Sequence, residues 1–166
     1  MGVPSSLPEG LRLAQPGDQK RLFDLCMTAH AENGWGDVDP EAVRETIEGA
    51  VWHDNRIFGI IPGPDRIEAA LGLYAQKTWY GGDGSWFWSE LMLYVHPKHR
   101  RSGHDKKLFA FAEWWSAHAG APVVISLMPR ERMAAKERLF AWGGGQRIGA
   151  IFVFGDPTFR YMADAA

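Results

Sequence analysis

"VHPKHRRSGHDKKLF", residues 95–109, decides how the rest of the chain is read. An apolar strand runs into a cationic loop, then Gly103, then a helix start. Lys98, Arg100, Arg101, Lys106 and Lys107 stand against one carboxylate, Asp105. If the strand ends at Val95 and the helix begins near Gly103, the first-turn N–H groups lack internal partners. The helix dipole adds about half a positive charge at the same place. Gly103 leaves room for a ligand against the backbone, so the loop has the make-up of a phosphate cradle. A second reading uses the same residues. Ser102-Gly103-His104-Asp105 fits a capping box, with Ser102 accepting from the Asp105 N–H and Asp105 reaching back to the Ser102 N–H, worth about 1 kcal/mol. On that reading the arginines are a solvated surface. Both readings stay open on these letters alone.

Working outward, Leu108, Phe111, Ala112 and Trp115 recur at helical spacing, the pattern of a helix lying on a sheet. "APVVISLMP" (121–129) is a short apolar strand, followed by a helix over about 130–142 and a last strand, "RIGAIFVFG". Upstream, three strand-like runs at 55–62, 66–80 and 85–96 meet at "PGPD" and "GGDG", which are turn compositions and predict an antiparallel meander. "LRLA" (11–14) is a short strand, and Leu22, Leu25, Cys26 and Ala29 mark a helix over 17–32. "ENGWGDVD" breaks that helix, and Asp39 caps a second one, with Pro40 at its first position and Val43, Ile47, Ala50 and Val51 on one face. The predicted order is β-α-α-β-β-β-α-β-α-β. A strand–helix–strand crossover around 90–128 places one parallel pair inside a mainly antiparallel sheet.

The bulk numbers narrow the function classes. At 166 residues, with no repeat or linker, one domain over 1–166 is expected, residues 1–10 forming a loose tail. Apolar and charged fractions of 46% and 23% are those of an ordinary globular protein. Net charge is −2 and the pI about 6.3, which lacks the electrostatic footprint of a nucleic-acid binder. The positive charge is confined to the loop, which argues for a site. Cys26 is the single cysteine and suits a reducing compartment. "MGVPSSLPEG" has neither the basic nor the apolar region of a signal peptide. Met1-Gly2 with Ser6 matches a myristoylation pattern, but Pro4 and Pro8 read as a tail. No apolar run approaches the ~20 residues of a membrane span, so a cytoplasmic protein with no membrane partner is expected. His96 and His99 are three apart with no cysteine or carboxylate at a zinc-like spacing, so no metal is assigned. Ser102, His104 and Asp105 share one turn too closely for a catalytic triad.

A strand ending in Val-His-Pro, then Arg100-x-x-Gly103-x-Asp105 and an amphipathic helix, resembles the acetyl-CoA signature of the GNAT N-acetyltransferases. Their pattern is Arg/Gln-x-x-Gly-x-Gly/Ala, and the element order agrees over nearly the whole chain. The resemblance implies a mixed, mainly antiparallel α/β sheet with one splayed parallel pair and about four helices. It implies acetyl-CoA as co-substrate and a primary amine, on a small molecule or a peptide, as acceptor. It implies pantetheine along Leu93, Tyr94 and Val95, and pyrophosphate on the loop amides Arg101, Ser102, Gly103, His104, Asp105 and Lys106, with Arg100 among the arginines supplying charge. Relatives are frequently dimers, and a homodimer through exposed aromatics such as Trp114 is consistent with this.

Two positions depart from the family pattern. Asp105 stands where Gly or Ala is usual; at ~5 Å and an effective dielectric near 20, a carboxylate–phosphate pair costs roughly 3 kcal/mol unless the side chain turns aside. Phe140, in "RLFAWGGG", stands where many relatives place a tyrosine that protonates the departing thiolate, and a phenyl ring has no proton to give. Tyr94 and Tyr161 are alternative acids. The departures also support a different class of function, a catalytically degenerate acyl-CoA-binding or regulatory protein. Glu90, within "WFWSELMLYV", is the candidate base: strand alternation puts it with Trp88, Met92 and Tyr94, and a carboxylate among aromatics has a raised pKa. Ser126 interrupts the following apolar strand and is available to the cofactor or a water. Trp35, Trp79, Tyr80, Trp86 and Trp88 are candidates to line an acceptor pocket, although most tryptophans of a chain pack in its core.

Overall fold

The apolar residues of 56–62 and 67–73 run almost without a break and need cover on both faces, and the chain supplies it with helices on either side of one sheet. The computed structural model describes residues 6–33, 37–53, 55–78, 86–126, 138 and 140–142. Its elements are β1 (Arg12–Leu13), α1 (Gln19–Asn33), α2 (Pro40–Val51), β2 (Arg56–Pro62), β3 (Ile67–Lys77), β4 (Trp86–Val95), α3 (His104–Ala119) and β5 (Val123–Val124). Single 3-10 turns at Pro16–Asp18 and Pro97–His99 lead into α1 and toward α3. The sheet order is β1-β2-β3-β4-β5, antiparallel except for the parallel pair β4–β5. The expected GNAT-like mixed sheet is therefore present. The predicted helix over 130–142 is described only at 138 and 140–142, which are helical, and the last strand lies outside the described residues.

Each face of the sheet has its own core. On one, Leu22, Leu25 and Ala29 of α1 and Ile47, Ala50 and Val51 of α2 pack on Phe58, Ile60, Ala70 and Tyr94. On the other, Leu108 and Phe111 of α3 pack on Ile57, Ile61, Leu71 and Leu73. A fully buried side chain of the size of Phe111 contributes roughly 2–3 kcal/mol, so α3 is fixed to the sheet by few residues. Phe111 fits because Gly59 lies beneath it: a Cβ there would come within 2.5 Å of the ring. Trp114, expected at the surface, is half-buried: it packs against this cluster and stacks on His118 with ring centres 4.8 Å apart. Leu7 packs against the same cluster.

The helix starts follow their sequence signals. Asp39 accepts from the Glu41 and Ala42 N–H groups at 2.9 and 3.4 Å, with Pro40 opening α2. Asp18, 3% exposed, precedes α1 and is surrounded by donors. Arg12 Nη1 and Nη2 reach it at 2.6 and 2.8 Å, Arg21 at 3.2 Å and the Gln15 amide at 2.9 Å. The Arg12 hydrogen bond, with help from Gln15 and Arg21, outweighs burial and holds this carboxyl below its ordinary range.

Candidate active site

Parallel strands β4 and β5 pair only at Trp88↔Val123 and Ser89↔Val124. β3, on the other side, stays paired with β4 as far as Val95. From Glu90 to Val95 the outer edge of β4 has no strand partner among the described residues; Ile125 and Ser126 run on from β5 without pairing to it, the Ser126 amide meeting the Glu90 side chain instead, so the two strands splay there. The β3–β4 register also slips: Gly72 faces Met92 but Leu73 faces Glu90, leaving Leu91 as the extra residue of a β-bulge.

The bulge changes which side chains share a face. Met92 and Tyr94 join the core under α1 and α2, whereas Trp88, Leu93 and Val95 join the core under α3. Glu90, two residues after Trp88, lies on the α3 side. The sequence expectation that Glu90 shares a face with Met92 and Tyr94 is corrected, because strict alternation does not survive an inserted residue. The Glu90 carboxylate bridges the splay, its Oε2 accepting from the Ser126 N–H at 2.9 Å. Burial pushes its pKa up to about 7, while the Ser126 and Leu93 amides pull it down. A carboxyl group poised near neutrality beside an open strand edge is suited to accept a proton from an amine. Ser126 contributes through its main chain here, a role its hydroxyl did not suggest.

At the end of β4 the loop closes on itself. The Ser102 N–H and Oγ both donate to the His99 carbonyl, at 3.1 and 2.6 Å. Gly103 is the N-cap of α3 at φ +79°, in the left-handed region that favours glycine, and a Cβ there would meet nothing within 4 Å. No side chain caps the helix, so the expected Ser102–Asp105 capping box does not form. The physical reason is the geometry at Ser102, whose hydroxyl is turned back to His99. Asp105 lies in the first turn with no hydrogen bond or ion pair among the described residues, and Arg101 and Lys106 are exposed. First-turn amides without a side-chain cap, open space at Gly103 and two exposed cations are a combination suited to an anion.

Arg100 lies apart from these groups. Its guanidinium makes a two-fold contact with Glu32 at the end of α1, with Nη2 2.5 Å from Oε2, and its Nε lies 3.4 Å from the Val95 carbonyl. In this arrangement its charge is taken up by Glu32. The Tyr94 hydroxyl donates to the same carboxylate at 2.6 Å. Burial, and then Glu32, push the Tyr94 pKa up to about 12, so its proton is held firmly and on the face opposite Glu90. That geometry disfavours Tyr94 as the acid. Phe140 packs edge-on against Phe109 with ring centres 4.9 Å apart. Lys106 Nζ sits 4.4 Å from the centre of the Trp142 ring. Trp88 meets Trp115 edge-on at 5.0 Å, and Trp86 is exposed. Trp35, Trp79, Tyr80 and Tyr161 lie outside the described residues. Glu32 escaped the sequence reading because nothing in a helical Glu marks which distant arginine it will meet.

No protein-family model matches the chain, and no curated protein matches it by sequence. Solved structures do match. The aminoglycoside acetyltransferase AAC(6')-Iy, in complex with a bisubstrate analogue, CoA-S-monomethyl-acetylneamine, superposes with a TM-score of 0.70 at 14% identity, over 88% of this chain and 96% of that one. The aminoglycoside 6'-N-acetyltransferase AAC(6')-IG of Acinetobacter haemolyticus gives 0.66 at 15%, over 88% and 97%. A "predicted acetyltransferase" of Clostridium acetobutylicum, solved with acetyl-CoA, gives 0.70 at 11%, over 87% and 94%. With the splayed parallel pair, the bulged β4 and the glycine loop already described, these superpositions show that the chain has the fold of the GNAT N-acetyltransferases.

Proposed function

We propose that the protein is an acetyl-CoA-dependent N-acetyltransferase that passes an acetyl group directly to a primary amine on a small molecule. The observation that carries this reading is Glu90, with its pKa raised to about 7, standing at the open edge of β4. Pantetheine pairs with the main chain of Leu93, Tyr94 and Val95, adding a strand-like partner to that edge. Pyrophosphate rests on the amides from Arg101 through Lys106, with Arg101 and Lys106 supplying charge. The amine nitrogen attacks the thioester carbon, the C–S bond breaks, and the thiolate leaves to be protonated by water. The proton lost by the amine goes to Glu90, directly or through one water. An oxygen of the co-substrate that takes the Leu93 amide removes one of the two donors that lower the Glu90 pKa, so binding makes the base stronger. A small-molecule acceptor is favoured by the fold neighbours named as aminoglycoside acetyltransferases.

A second reading, an acyl-CoA-binding protein without turnover, draws on Phe140 in place of a proton donor and on the engagement of Arg100 by Glu32. Calorimetry with acetyl-CoA, followed by thiol release in the presence of a panel of aminoglycosides and polyamines, separates the two. Binding with amine-dependent thiol release supports the transferase. Binding with no release across the panel supports the second reading, and no binding at all refutes both.

A further inference from the structure

We propose that Glu68, His99 and His104 form a site for a divalent transition metal of the Zn2+ class. The three come from separate elements: Glu68 from β3, His99 from the turn after β4, and His104 from the first position of α3. Glu68 Oε2 lies 2.6 Å from His104 Nε2 and 3.4 Å from His99 Nδ1, and the three atoms fall within 4.8 Å of one another. Tetrahedral zinc with bonds of about 2.0–2.2 Å needs its ligands roughly 3.3–3.5 Å apart. One pair is therefore at coordination distance, one must open by under about 1 Å, and the imidazoles must approach by no more than about 1.5 Å.

The surroundings hold the three groups in place. The Glu68 carbonyl accepts from the His96 N–H, and the His99 N–H donates to the His96 carbonyl, both at 2.8 Å. The His99 and His104 rings stand nearly parallel, 17° apart, with centres 5.9 Å apart. His104 is 9% exposed and its Nε2 is held against Glu68. His96 takes no part, its Nε2 lying 3.3 Å from Arg66.

Two imidazoles and one carboxylate are a donor set for Zn2+, Co2+ or Ni2+ rather than for Ca2+ or Mg2+. A cavity of about 210 Å³, lined by Pro64, Asp65, Arg66, Glu68, Lys98 and His99, opens beside the cluster and leaves room for a fourth ligand. Arg66 and Lys98 in its lining oppose a bare cation and favour an anionic fourth ligand. A metal-bound His104 must carry its proton on Nδ1, which is buried without a partner among the described residues. Lack of that outer support weakens a site by roughly 10–100-fold, so micromolar affinity is expected. β3 and β5 flank β4 on opposite sides, so Glu68 lies across β4 from the splay, while His104 also belongs to the loop proposed to hold pyrophosphate; cobalt uptake is read without acetyl-CoA and needs no acetyl transfer.

The test is titration of the chelator-treated full chain with Co2+, followed by its visible absorption and by displacement with Zn2+. The expected result is one Co2+ per chain with the absorption of four-coordinate cobalt, weakened at least roughly tenfold in both His99→Ala and Glu68→Gln. His53→Ala, which removes an exposed histidine outside the cluster, should leave uptake unchanged. Circular dichroism identifies a variant that has failed to fold, and the other variant then decides. Absence of uptake by the wild type at micromolar metal overturns the site. Uptake undiminished in a folded cluster variant also overturns it, by assigning the metal to other histidines.

Discussion

Replacing Glu90 with glutamine should stabilise the protein in a pH-dependent way while removing its activity. The ordinary value for this carboxyl is 4.5, and burial raises it to about 7 in the folded chain. Between those values the folded protein holds a proton that the unfolded chain has lost. Wild-type stability therefore falls as pH rises from about 4.5 to about 7 and is flat above. A shift of about 2.5 units corresponds to about 3 kcal/mol, and partial access of water to the residue brings the expected figure to about 2–3 kcal/mol. Glutamine keeps an oxygen for the Ser126 amide but carries no charge to desolvate. Its advantage over the wild type should thus be near zero at pH 4.5 and reach that figure at pH 8. With a urea slope of about 2 kcal/mol/M, the denaturation midpoint of Glu90→Gln should exceed that of the wild type by about 1–1.5 M at pH 8. Taking the difference between the two proteins at each pH removes the other titrating groups. A midpoint difference that is the same at pH 5 and pH 8 would refute the buried, neutral-pH carboxyl and with it the assigned base. The same variant should lose roughly 10²–10⁴-fold in acetyl transfer, and wild-type kcat/KM should rise with pH through about 7, with kcat rising at a higher pH.

Other perturbations report on the surrounding structure. Gly103→Ala, at φ +79°, should cost about 1 kcal/mol in thermal or urea stability yet weaken acetyl-CoA in calorimetry by more than that, because the new methyl projects into open space at the cradle. Arg101→Ala should weaken acetyl-CoA roughly five- to tenfold, the value of a screened charge-assisted contact, while Arg100→Ala should change the affinity little, since Glu32 already holds that guanidinium. Gly59→Ala should destabilise by about 1–3 kcal/mol, read as a fall in Tm, because the Phe111 ring must leave its seat. Asp18→Asn should cost about 1–3 kcal/mol at pH 7. The carboxyl is held below its ordinary value of 3.8, so this contribution is fully present above that pH and declines as the pH falls toward the lowered folded value; the gap between variant and wild type in urea denaturation should narrow as the pH is taken below 3.8.

The sequence alone determined the elements and their order through residue 126. Period-3.6 and period-2 patterns are local, and Asp39-Pro40 and Gly103 mark helix starts through backbone geometry that neighbours along the chain impose. A crossover between consecutive strands then forces the parallel pair, so the sheet could be drawn without coordinates. The loop's charge and its glycine pointed to an anion for the same local reasons. What escaped was whatever depends on a partner distant in the chain. A bulge at Leu91 is set by the register between two strands, and one extra residue reverses every facing assignment beyond it, including that of Glu90 relative to Tyr94. Arg100 looked free for phosphate because Glu32 is 68 residues away. Ser102 looked like a cap because only the turned chain offers it the His99 carbonyl. Glu68 stands 31 residues before His99 in the sequence, so the Glu–His–His cluster has no motif spacing and is assembled only when β3 pairs with β4 and α3 turns back onto the sheet. Local periodicity and caps are written in short stretches of sequence, whereas register and charge pairing are decided by the whole chain closing on itself.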